Sequence, residues 1–156
     1  RLGLPPVFFF NDFLPFWSRL LWELGFEVVL GPRTGTPIIH AGLEAVQAEG
    51  CFPMKVAHGH VRHLLDAGVD AVFIPSMIGL NRRNEAFPRG VACPYAQTIP
   101  YVTRLALGRY PALVPVVDFE LGPASLRREL HRVFRDYGVS KGRIRRALAE
   151  AEKAQN

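Results

Sequence analysis

Four short apolar runs, separated by stretches of helical periodicity, constrain the fold of this chain more than any other feature. The runs are Leu2 to Phe10, Phe26-Glu27-Val28-Val29-Leu30, Val69 to Pro75 (Val-Asp-Ala-Val-Phe-Ile-Pro) and Ala112 to Val117. Strands that alternate with helices imply βαβ units, a parallel sheet and right-handed crossovers. The expected fold class is α/β: an open, mainly parallel four-stranded sheet of flavodoxin/Rossmann-like type, flanked by helices and followed by a helical C-terminal extension. Pro115 inside the fourth run cannot donate to a ladder, so that strand is expected at an edge.

The helices are marked by period and by caps. After Asn11-Asp12, residues 13 to 25 carry Phe13, Phe16, Trp17, Leu20, Leu21 and Leu24 at helical spacing, with Pro15 in the first turn and Gly25 as the stop. Ile38 to Ala48 follows a Thr36 cap and Pro37. Phe52 to Ala67 has Pro53 in its first turn and Gly68 at its end. Past Pro75 a long polar loop through Asn81, Arg82, Arg83 and Asn84 leads to Cys93. Pro94 to Leu107 is the next helix, with a kink expected at Pro100. Ser125 to Tyr137 and Ser140 to Lys153 are amphipathic helices broken at Gly138.

A chain of 156 residues with 49% apolar and 21% charged residues is ordinary globular material with enough apolar surface for a core. It has no apolar run of about 20 residues for a membrane span and no signal-peptide pattern, which leads to the expectation of a soluble, cytoplasmic protein without a membrane role. The net charge of +5 is not evenly spread. Residues 1 to 123 are neutral, with ten Lys+Arg and ten Asp+Glu, whereas residues 124 to 156 hold nine and four. Two segments are expected: an α/β domain over 1–123 and a basic helical extension over 124–156. Nucleic-acid binding is disfavoured, because only Phe134 and Tyr137 interleave with the basic residues. A solvated helical face explains the charge better, and an acidic partner or neighbouring domain comes second.

Chemistry concentrates in Cys51-Phe52-Pro53-Met54-Lys55-Val56-Ala57-His58-Gly59-His60, and Cys93-Pro94 answers it further on. These are the two cysteines of the chain. In an open parallel sheet every crossover helix begins at the carboxyl edge, where ligands bind. Cys51 and Cys93 each stand just ahead of such a helix, which places both on that edge. Free N–H groups at a helix start favour a thiolate, so the pair suits metal binding or electron acceptance. Positions 51, 55 and 58 share one helix face, so Lys55 and His58 fall below Cys51. Lys55 there holds an anion or offsets thiolate charge, or it simply reaches solvent. His58 and His60 point to different faces, and zinc spacings are shorter and more regular, which disfavours a zinc site built from these residues. His40, His63 and His131 read as solvated helix residues. Gly59 between the two histidines suggests close approach of another element.

Arg-Leu-Gly-Leu-Pro at the start, Phe-Trp-Ser-Arg-Leu-Leu-Trp-Glu-Leu-Gly-Phe-Glu-Val-Val-Leu, Cys-Phe-Pro-Met-Lys-Val-Ala-His-Gly-His and Cys-Pro-Tyr-Ala-Gln-Thr-Ile-Pro together resemble the activase-associated domain of the 2-hydroxyacyl-CoA dehydratase activase and reductase family, as far as about Asp118. The resemblance implies a module of a larger iron-sulfur protein of anaerobic metabolism, in which an ATP-hydrolysing activase drives a low-potential electron into a cysteine-ligated cluster. It implies Cys51 and Cys93 as cluster ligands, with Lys55, His58 and His60 as motif residues. Clusters take three or four protein thiolates. Two are present, so the remainder must come from a further cysteine-containing α/β domain or subunit. No Gly-rich phosphate loop occurs, so ATP hydrolysis belongs to a separate activase partner.

Starting in a strand without Met and ending in an uncapped helical run, the chain reads as an excised piece. The helix from Ser140 onward, short of core-facing partners, then links to an absent following domain or forms a dimer contact. Two other functions compete. In one, a thiol redox protein or enzyme uses Cys51 as nucleophile with a nearby histidine as base. His58 stands seven residues, about two turns, along the helix, which disfavours it. In the other, both thiols are buried and the domain is purely structural. The isolated domain is not expected to be catalytic.

Overall fold

A computed structural model of the chain describes residues 1–8, 11–46, 50–80 and 90–155. Leu2–Leu4 (β1) starts the sheet with Leu2 and Leu4 buried, and Leu14–Glu23 (α1) returns the chain over one face. Val28–Leu30 (β2) comes next, then two consecutive helices, Thr36–Ala45 (α2) and Phe52–Asp66 (α3), before Ala71–Phe73 (β3). Ser76–Leu80 (β4) and Gly90–Val91 (β5) precede Pro94–Ala106 (α4). Ala112–Leu113 (β6), Val116–Asp118 (β7), Gly122–Phe134 (α5) and Lys141–Gln155 (α6) complete the order. Phe9 and Phe10 of the first apolar run, Ala48 of the second helical pattern and the Asn81 to Asn84 loop lie outside the described residues.

The main sheet is four-stranded and all parallel, in the order β2-β1-β3-β6, as the alternating pattern requires. Leu2 pairs with Val28 on one side and Ala71 on the other. From β1 the chain moves one way to β2; from β2 it moves back past β1 to β3 and on to β6. Right-handed crossovers therefore put α1 on one face and α2, α3 and α4 on the other. The packing agrees: α3 lies against α2 and α4, while α6 lies along α1. The direction reverses between β1 and β3, the switch point at which open α/β sheets hold ligands.

The long loop expected after Pro75 is corrected in its first part. β4 continues straight on from β3, and β7 from β6, across Ile74-Pro75 and Val114-Pro115. The ladder runs through the break: Ile74 N–H donates to the Leu113 carbonyl at 3.1 Å and Ser76 N–H to the Pro115 carbonyl at 2.9 Å. Pro75 and Pro115, each without a donor, interrupt the two-chain ribbon together. Beyond this interruption lies a second, three-stranded sheet in the order β5-β4-β7, with β4 and β5 antiparallel. The run Ala112 to Val117 is thus two strands split at Pro115, and each lies at the edge of its own sheet.

The C-terminal helices join the same core. In α6, Ile144, Ala147, Leu148 and Ala151 recur at three- and four-residue steps and are buried. Its ends are tied to α1: Arg143 Nε donates to the Glu23 carbonyl at 3.1 Å, and Gln155 accepts the Phe16 N–H and donates to the Asp12 carbonyl. The expectation that this helix is short of core-facing partners is therefore corrected. Small alanines admit close approach of α1 and leave a stripe too sparse to recognise by hydrophobicity alone. Phe134 of α5 is fully buried between Phe73 and Phe26, at ring separations of 6.0 and 5.3 Å. Gly138 takes the left-handed φ of 72° that turns α5 into α6. As read from the sequence, the interior face of α1 carries Phe16, Trp17, Leu20, Leu21 and Leu24. α4 runs on through Pro100 to Ala106.

Candidate cysteine site at the carboxyl edge

Both cysteines are the N-cap residues of long helices, Cys51 of α3 and Cys93 of α4, with extended backbone at ψ 150° and 151°. Each is followed by proline within the first two helical positions, where the missing N–H costs nothing. α3 feeds β3 and α4 feeds β6, neighbouring parallel strands, and the two helices pack side by side on one face of the sheet. Their starting ends therefore share the carboxyl edge. Both thiols are free; Cys51 is half-buried against the core and Cys93 is exposed.

The surroundings of Cys93 are tightly specified. Ala92 N–H donates to the Ile78 carbonyl at 2.8 Å, pinning the residue before the cysteine to β4. Gln97, one turn into α4, donates its side-chain amide to the Ala92 carbonyl at 2.8 Å, and its own carbonyl accepts the Ser76 hydroxyl at 2.7 Å. Cys93 Sγ accepts the Ala96 N–H at 3.4 Å, so the sulfur itself caps the helix. The second sheet is what carries Cys93 outward past the end of β3. Cys51 makes no such side-chain cap; its carbonyl accepts the Met54 and Lys55 N–H groups at 3.1 and 3.2 Å.

The motif residues divide. Lys55 is half-buried. His58 is 1% exposed, and its Nδ1 donates to the Met54 carbonyl at 2.8 Å. His60 is fully buried on another side of the helix, with Nε2 against Thr34 Oγ1 at 2.9 Å and Nδ1 without a partner among the described residues. Burial first, and the nearby His63 second, hold its pKa below the ordinary 6.5, so it is neutral in the fold. His40 and His63 are exposed as expected, whereas His131 is half-buried. Gly59 meets α2 as its position suggested: a Cβ there would collide with the Ile38 carbonyl, and one on Gly42 with the Lys55 carbonyl. This crossing holds α3 against α2 backbone to backbone.

Three features of the edge had no sequence signal strong enough to find them. Thr34 reaches His60 from a loop that reads only as polar. The clamp of Gln97 and Ser76 depends on the second sheet. Phe8, just past β1 at the switch point, adopts a left-handed φ of 49°, rare for a bulky residue. Among the described residues, no three or more His, Cys, Asp and Glu side chains gather at one point as a complete metal site would require. The arrangement offers two thiols and no more, fitting part of a ligand set and not a whole one.

An α/β domain with two thiols at the carboxyl edge of its sheet is the class that fold and site define. All of residues 1–156 match the family described as CoA enzyme activase uncharacterised domain (DUF2229), and the chain belongs to that family. No curated protein and no solved structure matches it significantly. No helix among the described residues is long and apolar enough to cross a membrane.

Proposed function

We propose that this CoA enzyme activase-related domain contributes Cys51 and Cys93 as two of the thiolate ligands of a low-potential iron-sulfur cluster, within a larger assembly whose ATP-hydrolysing activase supplies the driving force. One observation carries the reading: the two cysteines cap adjacent helices that begin at the same sheet edge. The donor chemistry suits iron and sulfide, since cluster irons take cysteine thiolates. When bound, such a cluster supplies one-electron transfer at low potential. The chain's own part is to hold the donors. The Gln97 and Ser76 clamp fixes the cap turn of Cys93, and the Gly42–Gly59 crossing fixes the helix that Cys51 begins. Phe52 and Tyr95, exposed one residue after Cys51 and two after Cys93, give the edge an apolar rim that excludes water once a partner covers it. That partner, another cysteine-bearing α/β domain or subunit, supplies the remaining thiolates. His58 stands behind Lys55 as a packing residue tied to Met54. The proposed setting is the cytoplasm.

The chain by itself is then expected to bind little cluster. After anaerobic incubation with iron and sulfide and then desalting, it should retain well below one cluster per monomer. A stable, stoichiometric, coloured monomer would show that the two cysteines are not half of a shared site. The competing reading, Cys51 as a nucleophile activated by histidine, is less well supported: His58 and His60 of its helix are both buried, with His58 Nδ1 bonded to the Met54 carbonyl and His60 Nε2 to Thr34 rather than to Cys51.

A further inference from the structure

The basic excess of residues 124–156 is gathered into one cleft. Between α5 and α6 lies a depression of about 530 Å³, lined by Arg127, Arg128 and His131 from one helix and Lys141 and Arg145 from the other. Ile144 and Ala124 supply apolar lining, and no carboxylate lines it. The acids of this segment are accounted for elsewhere, Glu152 lining a different depression beside Phe13 and Phe16. Glu129 is held by Arg132 at 2.7 Å and by the Val116 N–H, Asp136 pairs with Arg135, and Glu150 pairs with Lys153. Other arginines of the same helices are likewise engaged, Arg132 with Glu129 and Arg143 with the Glu23 carbonyl. The four permanent cations of the cleft form no ion pair among the described residues. Gathered on one concave surface, they repel one another and are relieved by an anion.

The backbone points the same way. The first intrahelical bond of α6 runs from Ile144 N–H to the Ser140 carbonyl, so the Lys141 and Gly142 amides precede it, at residues that line the cleft. At Gly142 even an added Cβ would find only Ser140 Oγ, at 3.9 Å, so the chain is open to close approach. Arginine forks match phosphate oxygens in pairs. A volume of this size suits a nucleotide-sized ligand better than one small ion, and no Phe, Tyr or Trp lines the cleft for base stacking along a strand.

We propose that the α5–α6 cleft is a binding site for a small polyphosphate anion, a ligand carrying two or more phosphate groups. It lies on helices that carry neither cysteine, so it stands or falls independently of the cluster reading. Calorimetric titration of the chain at near-physiological salt, with inorganic pyrophosphate and with a nucleoside triphosphate as separate arms, tests it. One saturable site per chain is expected. Binding should weaken tenfold or more in the pairs Arg127→Gln with Arg128→Gln and Lys141→Gln with Arg145→Gln, each verified as folded by its thermal melt. It should stay within twofold of the parent in Arg104→Gln, on the exposed face of α4. Equal affinity for the two ligands assigns the site to phosphate recognition alone, and tenfold tighter nucleotide binding adds a contact to the nucleoside on the apolar lining. The proposal is overturned by no saturable binding, by equal weakening in Arg104→Gln, or by an acidic peptide or single-stranded oligonucleotide that binds and is not displaced by pyrophosphate.

Discussion

At the scale of single residues, the cysteine pair could be read from the sequence and the histidines only in part. A cysteine before a proline at the head of an apolar-periodic segment is a local signal, and both N-caps follow from it. Opposite faces for His58 and His60 follow from their spacing of two. Their contacts do not, because Met54 lies on the same helix but Thr34 arrives from a distant loop. The buried state of His60 has a measurable consequence. Its folded pKa is depressed, chiefly by burial. Below the ordinary 6.5 the unfolded chain takes up a proton that the folded chain refuses. The stabilising contribution is therefore present in full above that value and is lost as pH falls from it through the lowered folded value. Glu129 and Glu150, held below the usual carboxylate range by Arg132 and Lys153, titrate at lower pH than this window. Thermal melts between about pH 7 and 5.5 should show stability falling with pH, and His60→Gln should flatten that slope whatever it does to the melting temperature at pH 7. An equally steep slope in the variant would contradict a neutral, buried His60.

At the scale of elements, the parallel sheet and its crossover helices were legible because each strand is a compact apolar run and each helix has a period and a cap. The second sheet was not. Ser76-Met77-Ile78-Gly79-Leu80 lacks the β-branched density of a strand, and Pro75 reads as a terminator when taken alone. Only the partner strand shows that Pro115 interrupts the ladder at the same level, so that hydrogen bonding resumes on the far side. The α2–α3 crossing sits between these cases, since Gly59 announced a close approach without naming the element. Gly59→Ala tests it. Alanine improves helix propensity by about 1 kcal/mol, but the added methyl meets the Ile38 carbonyl, and overpacking of this kind costs about 1–3 kcal/mol or more. Steric cost should win, with a net loss of about 1–2 kcal/mol in urea unfolding, since the contact is to backbone that cannot swing aside. A variant as stable as the parent would mean that the helices are free to separate.

At the scale of the whole molecule, the charge division of the sequence turns out to be a division of surface more than of interior. Residues 124–156 carry the positive charge outward while Leu130, Phe134, Ile144 and Leu148 enter the core shared with the sheet. Periodicity predicted two helices there but not their destination, because the alanines that let α6 lie along α1 carry little hydrophobic signal. The molecule thus has one edge bearing two thiols and a separate basic cleft on its helical side. Family membership extends over all of it, and in the proposed cluster reading the donor count at the edge is what calls for a second protein segment. The most direct test uses the natural assembly containing this domain, purified without oxygen, with iron and acid-labile sulfide content and the electron paramagnetic resonance spectrum measured for the parent, Cys51→Ser, Cys93→Ser and the double variant. Loss of at least half the cluster, or an altered spectrum, in each single variant and loss of the signal in the double variant is the predicted result. Unchanged iron, sulfide and spectrum in a folded double variant would contradict ligation by this edge.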